Sequence, residues 1–152
     1  MARTPFNVLV YPYRKTDAGH FEYALLKRSD HGWWQGVARG GEDRDTPLQA
    51  AKRESWEEAG IPMDSEFFQL DTVMPVPVTE FAVGDLWGRD TYVIPQYSFG
   101  VSANNQQIVL SHEHTEYEWL KYEQAYDLVK CDDSKTALWE LDRMVRGLEP
   151  RN

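Results

Sequence analysis

The chain is short of three things, and each shortage excludes a class of protein. It has a single cysteine, Cys131, in 152 residues. One thiol can form neither an internal disulfide nor a zinc site built from several cysteines. It has no apolar run long enough to cross a bilayer, and its start, MARTPFNVLVYPYRK, is too interrupted for a signal peptide. A soluble, cytoplasmic protein with no membrane partner is therefore expected. It is also short of positive charge, with 16 Lys and Arg against 25 Asp and Glu and a net charge of −9. Such a surface repels a nucleic-acid backbone, whose binding depends on neutralising phosphates with Lys and Arg. No nucleic-acid polymer is expected as a partner. A small phosphorylated ligand remains compatible with an acidic chain if a divalent ion supplies the local positive charge.

What is present points to one globular domain spanning 1–152. The hydrophobic fraction is 41% and the aromatic fraction 13%, with six Trp, which is enough to build a core without disulfides. Residues 6–13 (FNVLVYPY) read as a strand that Pro12 places at an edge or an end. Residues 15–20 read as a turn and 21–27 as the returning strand. The stretch 29–41 is rich in Gly and polar residues, with Trp33 and Trp34 embedded. Residues 46–59 form the clearest helix: Asp45 or Thr46 can cap it, Pro47 suits the first turn, and Gly60 and Pro62 end it. Strands are expected over 69–78, 91–101 and 116–120, with a loop over 79–90 and helices over 122–129 and 134–146. Strands and helices mix without regular βαβ alternation, which favours an α/β sandwich with a mixed sheet.

The helix carries the chemistry. Glu54, Glu57 and Glu58 lie three and four residues apart, so they can share one face. Three carboxylates on one face repel each other, whereas a hard divalent ion needs carboxylate oxygens. Glutamate-rich helices are also common as plain solvated surface, and these three residues alone leave that option open.

The wider pattern resembles the Nudix family signature, G-x5-E-x7-R-E-U-x-E-E-x-G-U. From Asp45 the spacing is kept through Arg53-Glu54, Ser55, Trp56, Glu57-Glu58, Ala59, Gly60 and Ile61. Three positions depart. Arg39 stands at the first glycine, with Gly40 and Gly41 after it; Asp45 replaces a glutamate; Ser55 replaces an aliphatic residue. The resemblance implies a Nudix-type α/β/α sandwich with a mixed β-sheet and a hydrolase using Mg2+, with Mn2+ as a possible substitute. It implies that Glu57 and Glu58 bind the metal, that Glu54 is a further ligand or a base, and that Arg53 holds the cluster in place. It also implies one more acid from a distant loop. Glu113, in Ser111-His112-Glu113-His114, is the first candidate, ahead of Glu116 and Glu80. The two histidines of that stretch could suggest zinc, but carboxylate and magnesium chemistry suits the set better.

Outside the signature, the Val-rich first strand, Leu25-Leu26-Lys27-Arg28, the Trp34-Gln35 pair before the glycines, and Glu113-His114 with Tyr117 and Trp119 resemble the dihydroneopterin triphosphate pyrophosphatase branch, which also acts on dATP-like nucleotides. The expected reaction is hydrolysis of a phosphoanhydride bond in a nucleoside triphosphate-like molecule, releasing pyrophosphate. The expected partner is a small nucleotide or pterin phosphate, bound by a monomer or a homodimer. Arg28, Arg39, Gly40 and Gly41 are candidates for the phosphates, and Trp87 for stacking on a ring. Trp33, Trp34 and Tyr92 could stack likewise or simply pack. The alternatives are dinucleoside polyphosphate or nucleotide-sugar cleavage, and a non-catalytic nucleotide-binding module. Isopentenyl-diphosphate isomerase shares the fold but uses a cysteine, and Cys131 lies far from the signature.

Overall fold

The computed structural model describes residues 3–42, 44–81 and 87–149. Among the described residues seven strands form one mixed sheet: β1 (Arg3–Lys15), β2 (Phe21–Arg28), β3 (Trp34–Gln35), β4 (Val37–Glu42), β5 (Phe67–Pro77), β6 (Val93–Ser102) and β7 (His114–Leu120). Among the same residues three α-helices flank it: α1 (Pro47–Ala59), α2 (Tyr122–Leu128) and α3 (Asp132–Val145). The strand order is β3-β2-β1-β6-β5, with β4 paired to β1 and β7 to β2. β1 and β6 run parallel, and the other pairs antiparallel.

The long strand β1 divides the core by parity, as successive side chains leave opposite faces. Phe6, Val8 and Val10 pack with Ala50, Ala51 and Ala59 of α1. Leu9 and Tyr11 pack with Ala125 after β7 and with Ala137, Leu138 and Leu141 of α3. The result is an α/β/α sandwich with a mixed sheet, as expected. Among the described residues no helix is long and apolar enough to cross a membrane.

One expectation needs correction. β1 is a central strand, and Pro12 lies inside it. β4 leaves β1 after Val10 and β2 joins at Tyr13, so Pro12 falls in the gap between two partners on one edge, where its missing N–H costs no ladder bond. The stretch 29–41, to which the sequence pattern assigned no strand, contains β3 and most of β4. The expected loop 79–90 opens with the end of a one-turn 3-10 helix, Val78–Glu80, and its residues 82–86 lie outside the described residues.

α1 forms where its caps dictate. Thr46 accepts a hydrogen bond from the Gln49 N–H while the Gln49 side chain accepts from the Thr46 N–H, closing a capping box behind Pro47. Gly60 ends the helix at φ 70°, with its N–H donated to the Trp56 carbonyl and the Ile61 N–H to that of Ser55.

Candidate active site

The signature glutamates all lie on α1, but not in equal settings. Glu54 and Glu58 are buried, at 2% and 5% exposure, whereas the Glu57 side chain is 53% exposed. Glu58 follows Glu57 directly in the chain yet is buried where Glu57 is not. It is covered because the segment after β6 folds over the end of α1. The Val109 N–H bonds to the Ala59 carbonyl, and Ser111 Oγ donates to Glu58 Oε2 at 2.9 Å. His114 Nδ1 stands 3.4 Å from the same oxygen, close enough for electrostatic attraction but not a formed hydrogen bond.

Arg53 organises the other side. Its Nη1 donates to Glu54 Oε1 at 2.6 Å and lies 3.5 Å from Glu42 and 3.9 Å from Glu57, and its Nη2 is bonded to Asp45. Asp45, the residue that shortens the family's glutamate, thus still reaches the guanidinium. Arg39, on β4, pairs with Glu113 and brings its Nε to 3.8 Å from Glu54 Oε2. Glu113 is held in turn by its backbone, whose carbonyl accepts from the Ser29 N–H and hydroxyl.

Electrostatics separates the two buried acids. Burial raises the Glu54 pKa to about 7; Arg53 works against the shift, and Glu57 adds to it. Burial alone would raise Glu58 as well, but His114, Ser111 and Arg39 outweigh it and bring Glu58 below its ordinary value.

The other expected residues fall in different places. Glu116 pairs with Lys27 at 3.4 Å on the β2–β7 ladder, and Glu80 is exposed on the 3-10 helix. His112 is exposed while His114 is buried, so they do not form a histidine pair. Arg28 is engaged with Asp30 at 2.6 Å. Gly40 and Gly41 make room for neighbours: a Cβ on Gly40 would meet the Arg3 guanidinium at 2.0 Å, and one on Gly41 the Phe6 ring at 2.3 Å. Trp87 donates its indole N–H to the Arg3 carbonyl at 3.1 Å and packs edge-on against Phe81, with the Arg3 guanidinium over both rings. Trp34 packs into the core, Trp33 stacks on His31, and Tyr92 is exposed.

Sequence reasoning did not single out Ser111 as the tether of Glu58 or Arg3 as the cover of Gly40. Ser111 sits two residues from Glu113, which was a usable signal. Arg3 had none, since nothing in the sequence ties the first strand residue to the glycines.

Among the described residues no three acidic, histidine or cysteine side chains stand close enough together to hold a metal ion. The carboxylates are divided among Arg39, Arg53 and His114 instead. Their chemistry nonetheless fits a hard divalent ion. The donors are all carboxylate oxygens, those of Glu54, Glu57 and Glu58 on neighbouring turns of α1 and that of Glu113 from the segment before β7, and Glu54 Oε2 is buried with no hydrogen-bond donor.

A NUDIX domain matches residues 4–140. The fold is similar to that of a NUDIX hydrolase from Listeria monocytogenes, with 37% identity, a TM-score of 0.85, and coverage of 95% of this chain and 96% of that one. It is also similar to the dihydroneopterin triphosphate pyrophosphohydrolase of E. coli (24% identity, TM-score 0.73, 91% and 94% covered). A C. elegans Ap4A hydrolase is comparably similar (23%, 0.75, 95% and 100%). The chain belongs to the Nudix family. Within it, the protein is a Nudix hydrolase.

Proposed function

We propose that the protein hydrolyses a phosphoanhydride bond in a small nucleoside triphosphate-like molecule, releasing pyrophosphate with the help of magnesium. The observation that carries this reading is the split between two buried carboxylates. Glu54 has its pKa raised to about 7, and Glu58 is held below its ordinary value, one helical turn apart. A group near neutrality can take a proton from water at working pH, while its ionised neighbour offers ligand oxygens.

Glu57 and Glu58 would hold the ion, with Glu54 and Glu113 as further oxygen donors. The bound ion would polarise the phosphate and lower the pKa of a coordinated water. Arg53 orients Glu54 through the 2.6 Å bond to Oε1 and leaves Oε2 open, either as a further ligand to the ion or as the acceptor of the water's proton. Arg39 lies on the open side of the cluster, 45% exposed, where a phosphate chain would meet it. Likeness to the E. coli enzyme supports a pterin or purine triphosphate; likeness to the Ap4A hydrolase supports dinucleoside polyphosphate cleavage as the second reading.

The test is product release from dihydroneopterin triphosphate, dATP, diadenosine tetraphosphate and ADP-ribose, with and without magnesium. Pyrophosphate released from one of the first two is the expected result. Cleavage of diadenosine tetraphosphate alone would favour the second reading. Binding of a compound without cleavage would make the protein a nucleotide-binding module and overturn both.

A further inference from the structure

The position that departs most from the Nudix signature carries a cation facing the acidic cluster. Arg39 replaces the signature's first glycine, and its guanidinium bridges two candidate ligands. Nη1 is bonded to Glu113 Oε1 and Nε lies 3.8 Å from Glu54 Oε2. These two carboxylates come from separate parts of the chain, the loop before β7 and helix α1. Arg39 is thus the residue that joins them across the site. Its side chain is half-exposed on β4.

We propose that Arg39 is a tethered counter-cation of the acidic cluster, which a divalent ion must displace to reach Glu113 and Glu54, and which displacement frees to contact the substrate's phosphate chain. The inference rests on the metal role of these acids given above. Physically, one guanidinium and one dication compete for the same oxygens. The apparent metal affinity is lowered by the fraction of time the guanidinium holds them. The displaced guanidinium keeps its charge and its paired donors, which suit phosphate oxygens.

The test is isothermal titration of magnesium into the full chain, its Arg39→Gln and Arg39→Gly variants, and a Lys27→Gln control that removes a positive charge from β2 of the same sheet. Magnesium affinity should rise about five- to tenfold in both Arg39 variants, the gain expected when the guanidinium holds the oxygens most of the time. It should change little in Lys27→Gln. In parallel, the 15N signal of Arg39 Nε, identified by its loss in Arg39→Gln, should move as magnesium is added and saturate with it. Unchanged or weaker affinity in both Arg39 variants overturns the proposal. So does an equal gain in the control, or an Arg39 signal indifferent to magnesium. Normal magnesium binding with Arg39 unresponsive sinks this inference and leaves the hydrolase reading intact. Magnesium-driven release of Arg39 with no cleavage on any substrate does the reverse. No magnesium binding by any form overturns both.

Discussion

Ser111 is bound twice to Glu58. Its hydroxyl donates to Glu58 Oε2 at 2.9 Å, and its backbone N–H approaches the Glu58 carbonyl at 3.4 Å. The same hydroxyl accepts from the Glu113 N–H at 3.3 Å, so one small side chain ties the helix to the loop acid. Ser111→Ala should therefore cost about 1 to 2 kcal/mol of stability, the loss of a hydrogen bond to a buried charged group. It should also lower kcat/KM more than that loss of fold stability explains, because Glu113 loses the one hydrogen bond that ties it to the residue holding Glu58, keeping those to Ser29 and Arg39. Chemical denaturation and steady-state kinetics on the same preparation check both.

The buried position of Glu58 separates it from Glu57 in a stability experiment. Glu58→Gln replaces a buried acceptor that Ser111 and His114 face, and should destabilise by about 1 to 3 kcal/mol. Glu57→Gln alters a half-exposed side chain and should leave the melting temperature nearly unchanged. Equal destabilisation would contradict the burial difference.

Glu54 gives a pH signature whose sign is fixed. Its pKa in the fold, about 7, lies above the ordinary 4.5, so folding favours the protonated form. The stability contributed by that proton is fully present below pH 4.5 and is lost as pH rises through 7. Glu54→Gln does not titrate. Without divalent ions, this variant should melt higher than the parent at pH 8, with the gap closing by pH 5. Melting curves across that range would show it, and a gap independent of pH would contradict the shift.

Gly60 ends α1 in the left-handed region at φ 70°, and a Cβ there would come within 2.9 Å of Val109 Cβ. Gly60→Ala should cost about 1 to 2 kcal/mol from the backbone alone. The Val109 contact should add to this and loosen the segment leading to Ser111. Thermal denaturation and amide exchange at Val109 are the measurements.

How much of this was legible beforehand follows from what each signal depends on. Helix α1 was legible because its ends are local chemistry: Thr46, Pro47 and Gly60 act on their own backbone. The three glutamates were legible by spacing, but their burial was not. Burial depends on the segment running from Ile108 to Ser111, which reaches α1 only through tertiary folding. Strand β4 was missed because Gly40 and Gly41 read as loop. They lie in a strand because the Arg3 guanidinium and the Phe6 ring occupy the space where their side chains would be. Arg39 was visible as a departure from the signature, but its partner Glu113 lies 74 residues away, and no local pattern connects the two.

The most direct measurement is pyrophosphate release from dihydroneopterin triphosphate and dATP by the wild-type chain and by Glu57→Gln, each with magnesium and with EDTA. Release by the wild type with magnesium alone, and its near-complete loss in a Glu57→Gln chain that still melts like the parent, is the predicted result. Release that persists in EDTA, or a Glu57→Gln enzyme close to wild-type rate, would contradict the assignment of the α1 carboxylates as the metal-binding centre of a hydrolase.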